Sequence, residues 1–220
     1  MKLTVNPIFH LIAEGEHQQQ DFKYCINDSR KIAKSLVAFA NTDGGRLLVG
    51  VKDNGKIVGV QSDEEYYMVE ASAKIYSNPP VEFEVQQWEV DGKSVLEIMV
   101  KPSKNRPHYA ENHEKKWVAF IRKNDENVLA NNVLLKAWKL QRNTNGILFK
   151  YNEPRKILVN YLEKNEEITL SKYSKIAQIS RFAAEDILAE FLNLNCISIQ
   201  LDHQPISYTL NNNFDLTQLS

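Results

Sequence analysis

The run Arg46-Leu47-Leu48-Val49-Gly50-Val51 is too apolar to face water on either side, and a strand of that kind needs both faces covered. It predicts the centre of a sheet, not an edge. Just before it, Thr42-Asp43-Gly44-Gly45 supplies glycines for positive φ. That turn ends a helix opened by Asp28 or Ser29, with Ile32, Leu36, Phe39 and Ala40 on one face. A short strand over Asp21 to Ile26 precedes this helix. After the central strand, Asp53-Asn54-Gly55-Lys56 reads as a tight hairpin turn that returns Ile57 to Val60 beside it. Asp63 to Ser77 reads as a helix stopped by Asn78-Pro79-Pro80. Val81 to Val90 and Ser94 to Val100 flank Asp91-Gly92 as a second hairpin, which Pro102 closes. Trp117 to Arg122 alternates as a strand, and Leu129 to Gln141 carries Leu134, Leu135 and Trp138 at helical spacing.

The polar stretch Asn143-Thr144-Asn145-Gly146 separates this mixed region from three short helical stripes. These are Ile157, Leu158, Tyr161 and Leu162; then Leu170, Tyr173, Ile176 and Ala177; then Ile187, Leu188, Phe191 and Leu192. A hairpin follows, with Cys196 to Leu201 and Ile206 to Leu210 about Asp202-His203-Gln204-Pro205. The expected class is α+β: a mixed-sheet domain over residues 1–142, a linker over 143–151 and a small helical and hairpin domain over 152–220.

Lys and Arg number 27 against 28 Asp and Glu, a net charge of -1. That balance excludes a strongly basic coat protein and confines any nucleic-acid affinity to a local patch. The longest apolar runs fall far short of the roughly 20 residues a membrane span needs, and the amino-terminal segment lacks a basic-then-apolar signal. A cytoplasmic protein with no membrane partner is expected. Cys25 and Cys196 lie far apart without a C-x-x-C motif, which predicts buried thiols. His10, His17, His108, His113 and His203 show no zinc-hydrolase spacing and are expected at the surface. Neither a P-loop nor a nucleophile elbow occurs.

One set of motifs is specific. Gly15-Glu16, Asp21-Phe22-Lys23, Ala38-Phe39-Ala40-Asn41-Thr42-Asp43-Gly44-Gly45 and Gly50-Val51-x-Asp53-x-Gly55-x-Ile57-x-Gly59 resemble the Schlafen-type AlbA-like domain. The resemblance continues to Pro107-x-Tyr109 and Ile121-Arg122 and spans about residues 10 to 140. By its order of elements, about Asn152 to Leu210 resembles a winged helix-turn-helix. Bacterial proteins of this resemblance often join the two and are called DNA-binding or transcription-regulating, while animal Schlafen relatives include endoribonucleases. In the nuclease members three carboxylates form a site, which corresponds here to Glu16, Asp21 and Asp53. The resemblance implies Mg²⁺ or Mn²⁺ on that cluster, activating water against a phosphodiester. Asp21 departs from the family's usual Glu, and its shorter side chain retreats from such a metal. The residues also admit a plainer reading, with Asp53 as a turn acid, Glu16 as a solvated loop residue, and Asn41 as either a helix-terminal cap or a tether for a neighbouring loop.

Charge is uneven along the chain. Between Lys101 and Lys123 seven cations face only Glu111 and Glu114, with His108, Tyr109, His113 and Trp117 interleaved. That is the footprint of a surface that grips phosphates and stacks bases. Lys104, Arg106, Arg122 and Lys123, with Lys23 beside the acids, are the expected contacts. On the third helix of the second domain, Arg181 stands against Glu185, Asp186 and Glu190, expected to be exposed. Such acids would repel phosphates, which predicts docking to protein there, most simply as a homodimer. The reading reached is a nucleic-acid-binding regulator of transcription, with DNA or RNA as partner and no cofactor required for binding. The alternatives are a divalent-metal-dependent endoribonuclease and a protein-interaction module without nucleic acid.

Overall fold

The computed structural model describes residues 6–142 and 150–211. The expected linker therefore lies largely outside the described residues. The chain divides into two compact units, residues 1–130 and 131–220.

The first unit runs α1 (Ile8–Glu14), β1 (Gln20–Lys23), α2 (Ser29–Asn41), β2 (Gly45–Val49), α3 (Glu64–Lys74), β3 (Ser77–Asn78), β4 (Glu84–Val90), β5 (Lys93–Val100), β6 (Tyr109–Glu111), β7 (Trp117–Val118), β8 (Phe120–Lys123) and β9 (Glu126–Leu129). Its main sheet has the order β1-β2-β5-β4, with β1 parallel to β2 and the other pairs antiparallel. The apolar β2 is thus an inner strand, covered on both faces. Ile32, Leu36 and Phe39 of α2 pack with Leu47, Val49 and Ile98 on one face. Ile8 of α1 packs with Phe22, Leu48 and Val95 on the other. Asp28 caps α2 by accepting the Arg30 N–H.

The expected partner of β2 differs. Ile57 makes only an isolated bridge to Val51, and β5 takes the place beside β2. At Gly50 φ is +92°, and a Cβ there would stand 2.8 Å from the Gly59 carbonyl carbon. Only glycine permits this crossing, which carries the chain out of the ladder after one strand. The Trp117 to Arg122 run breaks at Ala119: β7 joins β6 and β3, whereas β8 pairs with β9 in a separate hairpin.

The second unit comprises α4 (Asn132–Gln141), α5 (Glu153–Leu162), β10 (Ile168–Thr169), α6 (Leu170–Ile176), α7 (Arg181–Asn193), β11 (Ile197–Gln200) and β12 (Ser207–Leu210). The boundary falls at Ala130/Asn131 instead of beyond residue 142, because α4 packs here. Its Val133 and Ala137 join Leu158, Tyr173, Leu188 and Phe191 in one core. Asn131 opens α4 by accepting the Leu134 N–H at 2.9 Å. The strands form an antiparallel sheet of order β10-β12-β11. Ile197, Ile199 and Ile206 pack against this unit's own core, so they do not form an exposed apolar edge. Among the described residues no helix is long and apolar enough to cross a membrane.

Candidate functional site

Alternation along β1 turns Phe22 to the α1 face and Asp21 to the α2 face, where Asp21 is 4% exposed. Its Oδ2 accepts from Ser35 Oγ of α2 at 3.1 Å. Ser35 Oγ accepts from Asn127 Nδ2 of β9 at 2.9 Å, and Asn127 Oδ1 accepts from Arg122 Nη1 of β8 at 3.1 Å. Arg122 Nη2 stands 3.8 Å from Asp21 Oδ1, which closes a polar ring drawn from four elements. Lys23 Nζ donates to Asp21 Oδ1 at 2.9 Å from the solvent side.

Arg122 was expected on a phosphate-binding surface; the structure places it inside. It is 1% exposed, donates to the Gln20 carbonyl at 3.1 Å and lies over the Phe39 ring. A buried guanidinium is tolerated only with such partners, and here the Asp21 carboxylate supplies the countercharge. The strand period carries the signal that could have shown this, since Arg122 shares the inward face with Phe120.

Glu16 lies against the ring and accepts the Phe22 N–H at 2.9 Å. Burial, reinforced by its hydrogen bond with Asp21, holds the Glu16 carboxyl above the ordinary carboxylate range. Burial acts on Asp21 in the same sense, but the hydrogen bond from Glu16 and the Lys23 charge outweigh it and leave Asp21 below its ordinary value. The pair therefore titrates as one unit in which Glu16 keeps the proton and Asp21 the charge.

Asp53 is exposed in the turn that follows Val51. Among the described residues no three His, Cys, Asp or Glu side chains converge as a metal site. Asp21 is engaged by Ser35 and Lys23.

Asn41 is a tether. Its Nδ2 donates to the carbonyls of His108 and Phe120 at 2.9 and 2.8 Å, and its Oδ1 accepts the His108 N–H at 2.8 Å. His108, expected at the surface, is 4% exposed, with ring nitrogens against Pro79 O and Ser103 Oγ.

Of the basic stretch, Lys101 pairs with Glu84 and Lys116 with Glu114. Lys104 is exposed and Lys123 half-buried, while Arg106 Nη1 reaches the Asn41 carbonyl at 3.4 Å, at the end of α2. Two large rings stand in solvent near cations. Trp117 follows Lys115 and Lys116, and Tyr24 lies 5.2 Å from Lys52 Nζ. Sequence reasoning missed Tyr24; its signal is its place just past the end of β1, beside Lys23.

Two of the three acids of α7 turn inward, whereas the Asp186 side chain is 45% exposed. Glu185 is 5% exposed, with Lys136 Nζ 3.2 Å and Arg181 Nε 3.5 Å away. Asp186 Oδ1 is 2.7 Å from Lys136 Nζ, and Glu190 accepts from Arg155 Nε at 3.0 Å. The expected acidic outer face is therefore corrected for Glu185 and Glu190, while Asp186 stays partly exposed; Lys136 of α4 and Arg155 of α5 pair with these side chains. From Leu170 to Ala184 the chain has no acid, and Lys172, Lys175 and Arg181 are exposed.

No curated protein matches the chain. Among solved structures it is similar to the DIP2311 protein from Corynebacterium diphtheriae, at 22% identity and a TM-score of 0.43 over 56% of this chain. The chain spans only 24% of the length of that protein. It is also similar to the N-terminal domain of a RecG-related protein from Nitrosomonas europaea. There the identity is 18% and the TM-score 0.41, over 67% of this chain and 96% of that domain. The family model described as Schlafen, AlbA_2 matches residues 16–131, a segment that holds the Asp21 ring, the Asn41 tether and the Gly50 crossing. With more than half of its length so matched, the chain belongs to the Schlafen AlbA_2 family.

Proposed function

We propose that the chain binds nucleic acid, duplex DNA in particular, as a regulator of transcription whose second unit works as a winged helix. The order α5, β10, α6, α7, β11, β12 supports that reading. The observation that carries it is the inward turn of Glu185 and Glu190, with the partly exposed Asp186 paired to Lys136. It leaves the corner between α6 and α7, Leu170 to Ala184, with exposed Lys172, Lys175 and Arg181 and no acid, the charge pattern that phosphates require. In the first unit Lys23, Lys104, Arg106 and Lys123 add backbone contacts, while Tyr24 and Trp117 offer rings on which unpaired bases stack.

The test is a titration of the full chain with duplex DNA, single-stranded DNA and structured RNA at two salt concentrations. Combined Lys172→Ala, Lys175→Ala and Arg181→Ala is expected to weaken duplex binding for all sequences and to reduce the slope of log K on log salt by about 2 to 3. Unchanged affinity and slope would overturn the reading. An arm with Mn²⁺ separates the nuclease alternative: cleavage that needs the metal and disappears in Asp53→Asn, at an exposed position, would favour it instead.

A further inference from the structure

A cavity of about 340 Å³ opens between the start of α3 and the sheet face of β4 and β5, lined among others by Asp63, Tyr66, Tyr67, Val85, Gln87 and Ser94. Its volume is in the range of ligand sites. Tyr66 and Tyr67 stand edge to face with centroids 5.7 Å apart, and Tyr67 is 64% exposed. Ser94 Oγ is buried without a hydrogen-bond partner among the described residues, although a buried hydroxyl ordinarily has one.

The cavity adjoins a free sheet edge. β4 ends the order β1-β2-β5-β4. Asp91 and Gly92 both have positive φ, so the β4–β5 hairpin closes on a two-residue turn in which Val90 and Lys93 form a hydrogen-bonded pair. Alternation from that pair points the backbone N–H and C=O of Val85, Gln87 and Glu89 away from β5. The Glu89 carbonyl does accept from outside the hairpin, from Asn6 Nδ2 at 3.2 Å. Val85 and Gln87 thus present backbone groups to solvent beside the cavity.

The charge around it is predominantly negative, although Lys74 pairs with Glu70 and Lys101 with Glu84. Gln61 to Glu70 and Glu82 to Glu89 contain seven acids and no Lys or Arg. Nucleic acid is repelled here. A second copy pairing edge to edge would set its own Glu82 and Glu89 against these acids.

We infer that the β4 edge and its cavity take an extended peptide segment carrying Arg or Lys side chains. The segment adds a strand at Val85 and Gln87, and one cationic side chain enters between Asp63 and the Tyr66–Tyr67 pair, where carboxylate and ring faces both favour it. Ser94 Oγ is placed to accept a donor from that side chain.

The test uses the full chain and two fluorescein-labelled peptides of about eight residues, one alternating Arg with Val and one alternating Glu with Val. Anisotropy is expected to show binding of the Arg peptide alone. Tyr67→Ala, at an exposed position with no charge to lose, should weaken it about tenfold. Gln87→Pro should do the same, because it deletes an outward N–H without touching the ladder to β5; circular dichroism verifies its fold, and Tyr67→Ala decides alone if that fold is lost. Equal binding of both peptides, or unchanged binding in Tyr67→Ala, would overturn the inference. So would self-association that Gln87→Pro abolishes while neither peptide binds, since the edge would then belong to a second copy.

Discussion

Glu16 and Asp21 shift in opposite directions: burial and the neighbouring Asp21 raise Glu16, whereas burial of Asp21 is outweighed by its pairing with Glu16 and Lys23. For Asp21 the folded pKa lies below the ordinary 3.8, so its stabilisation is present above that pH and lost as pH falls through the folded value. For Glu16 the folded pKa lies above the ordinary 4.5, so the folded state binds the proton more tightly. Stability therefore declines as pH rises from about 4.5 through the folded value. Glu16→Gln keeps an acceptor for the Phe22 N–H and offers Asp21 a permanent donor. It should raise stability at neutral pH by about 0.5–1 kcal/mol and flatten the decline above pH 4.5, as urea melts across pH 4 to 8 would show. An unaltered pH profile would mean the two carboxyls do not share a proton. The acidic motif was legible in the chain; its role was not. That Asp21 is balanced by Arg122 depends on a contact between residues 101 positions apart, which no local spacing records.

Element by element, the clearest sequence signals were those with a strong period or a turn: the two faces of β2, the cap of α2 and the Asp91-Gly92 hairpin all stand where the residues put them. Short elements were lost, β10 and β3 among them, because two residues carry no measurable period. The helix over Leu129 to Gln141 was legible as a helix, but its owner was not. Its stripe says that something covers it and leaves open which core does so. The structure gives it to the second unit, where Lys136 also neutralises the buried Glu185. A fragment of residues 131–220 should therefore fold, whereas one of residues 152–220 should be markedly less stable, because it loses the core contacts of Val133 and Ala137 and leaves Glu185 with Arg181 alone. Cys196 provides the readout. Fully buried, with burial pushing its thiol up to about 11, it should resist a thiol reagent at pH 8 in the longer fragment and react readily in the shorter. Equal protection in both would show α4 to be dispensable.

For the whole molecule, two separate cores meet a chain that passes from one to the other at Ala130 and Asn131, the first closing on Ala119 O and the second capping α4. Family membership attaches to the first of these cores and the corner of α6 and α7 to the second, so each must be assayed in the full chain. The Asn41 tether bears on how the first core comes together in time. Its bonds to His108 and Phe120 close loops of 67 and 79 residues, and closures of that length are entropically costly until local structure has formed. Docking of the β8–β9 hairpin onto α2 then belongs to the last stage of assembly. Asn41→Ala should lower stability by about 2–4 kcal/mol, through buried groups left unpaired, and should do so by speeding unfolding with little change in the folding rate. Stopped-flow traces in urea separate the two limbs, and equal slowing of folding would instead put the tether in the nucleus. If that order of assembly holds, the hairpin is also the first segment to leave, and the ring around Asp21, half of it borne by that hairpin, is expected to open with the Asn41 tether.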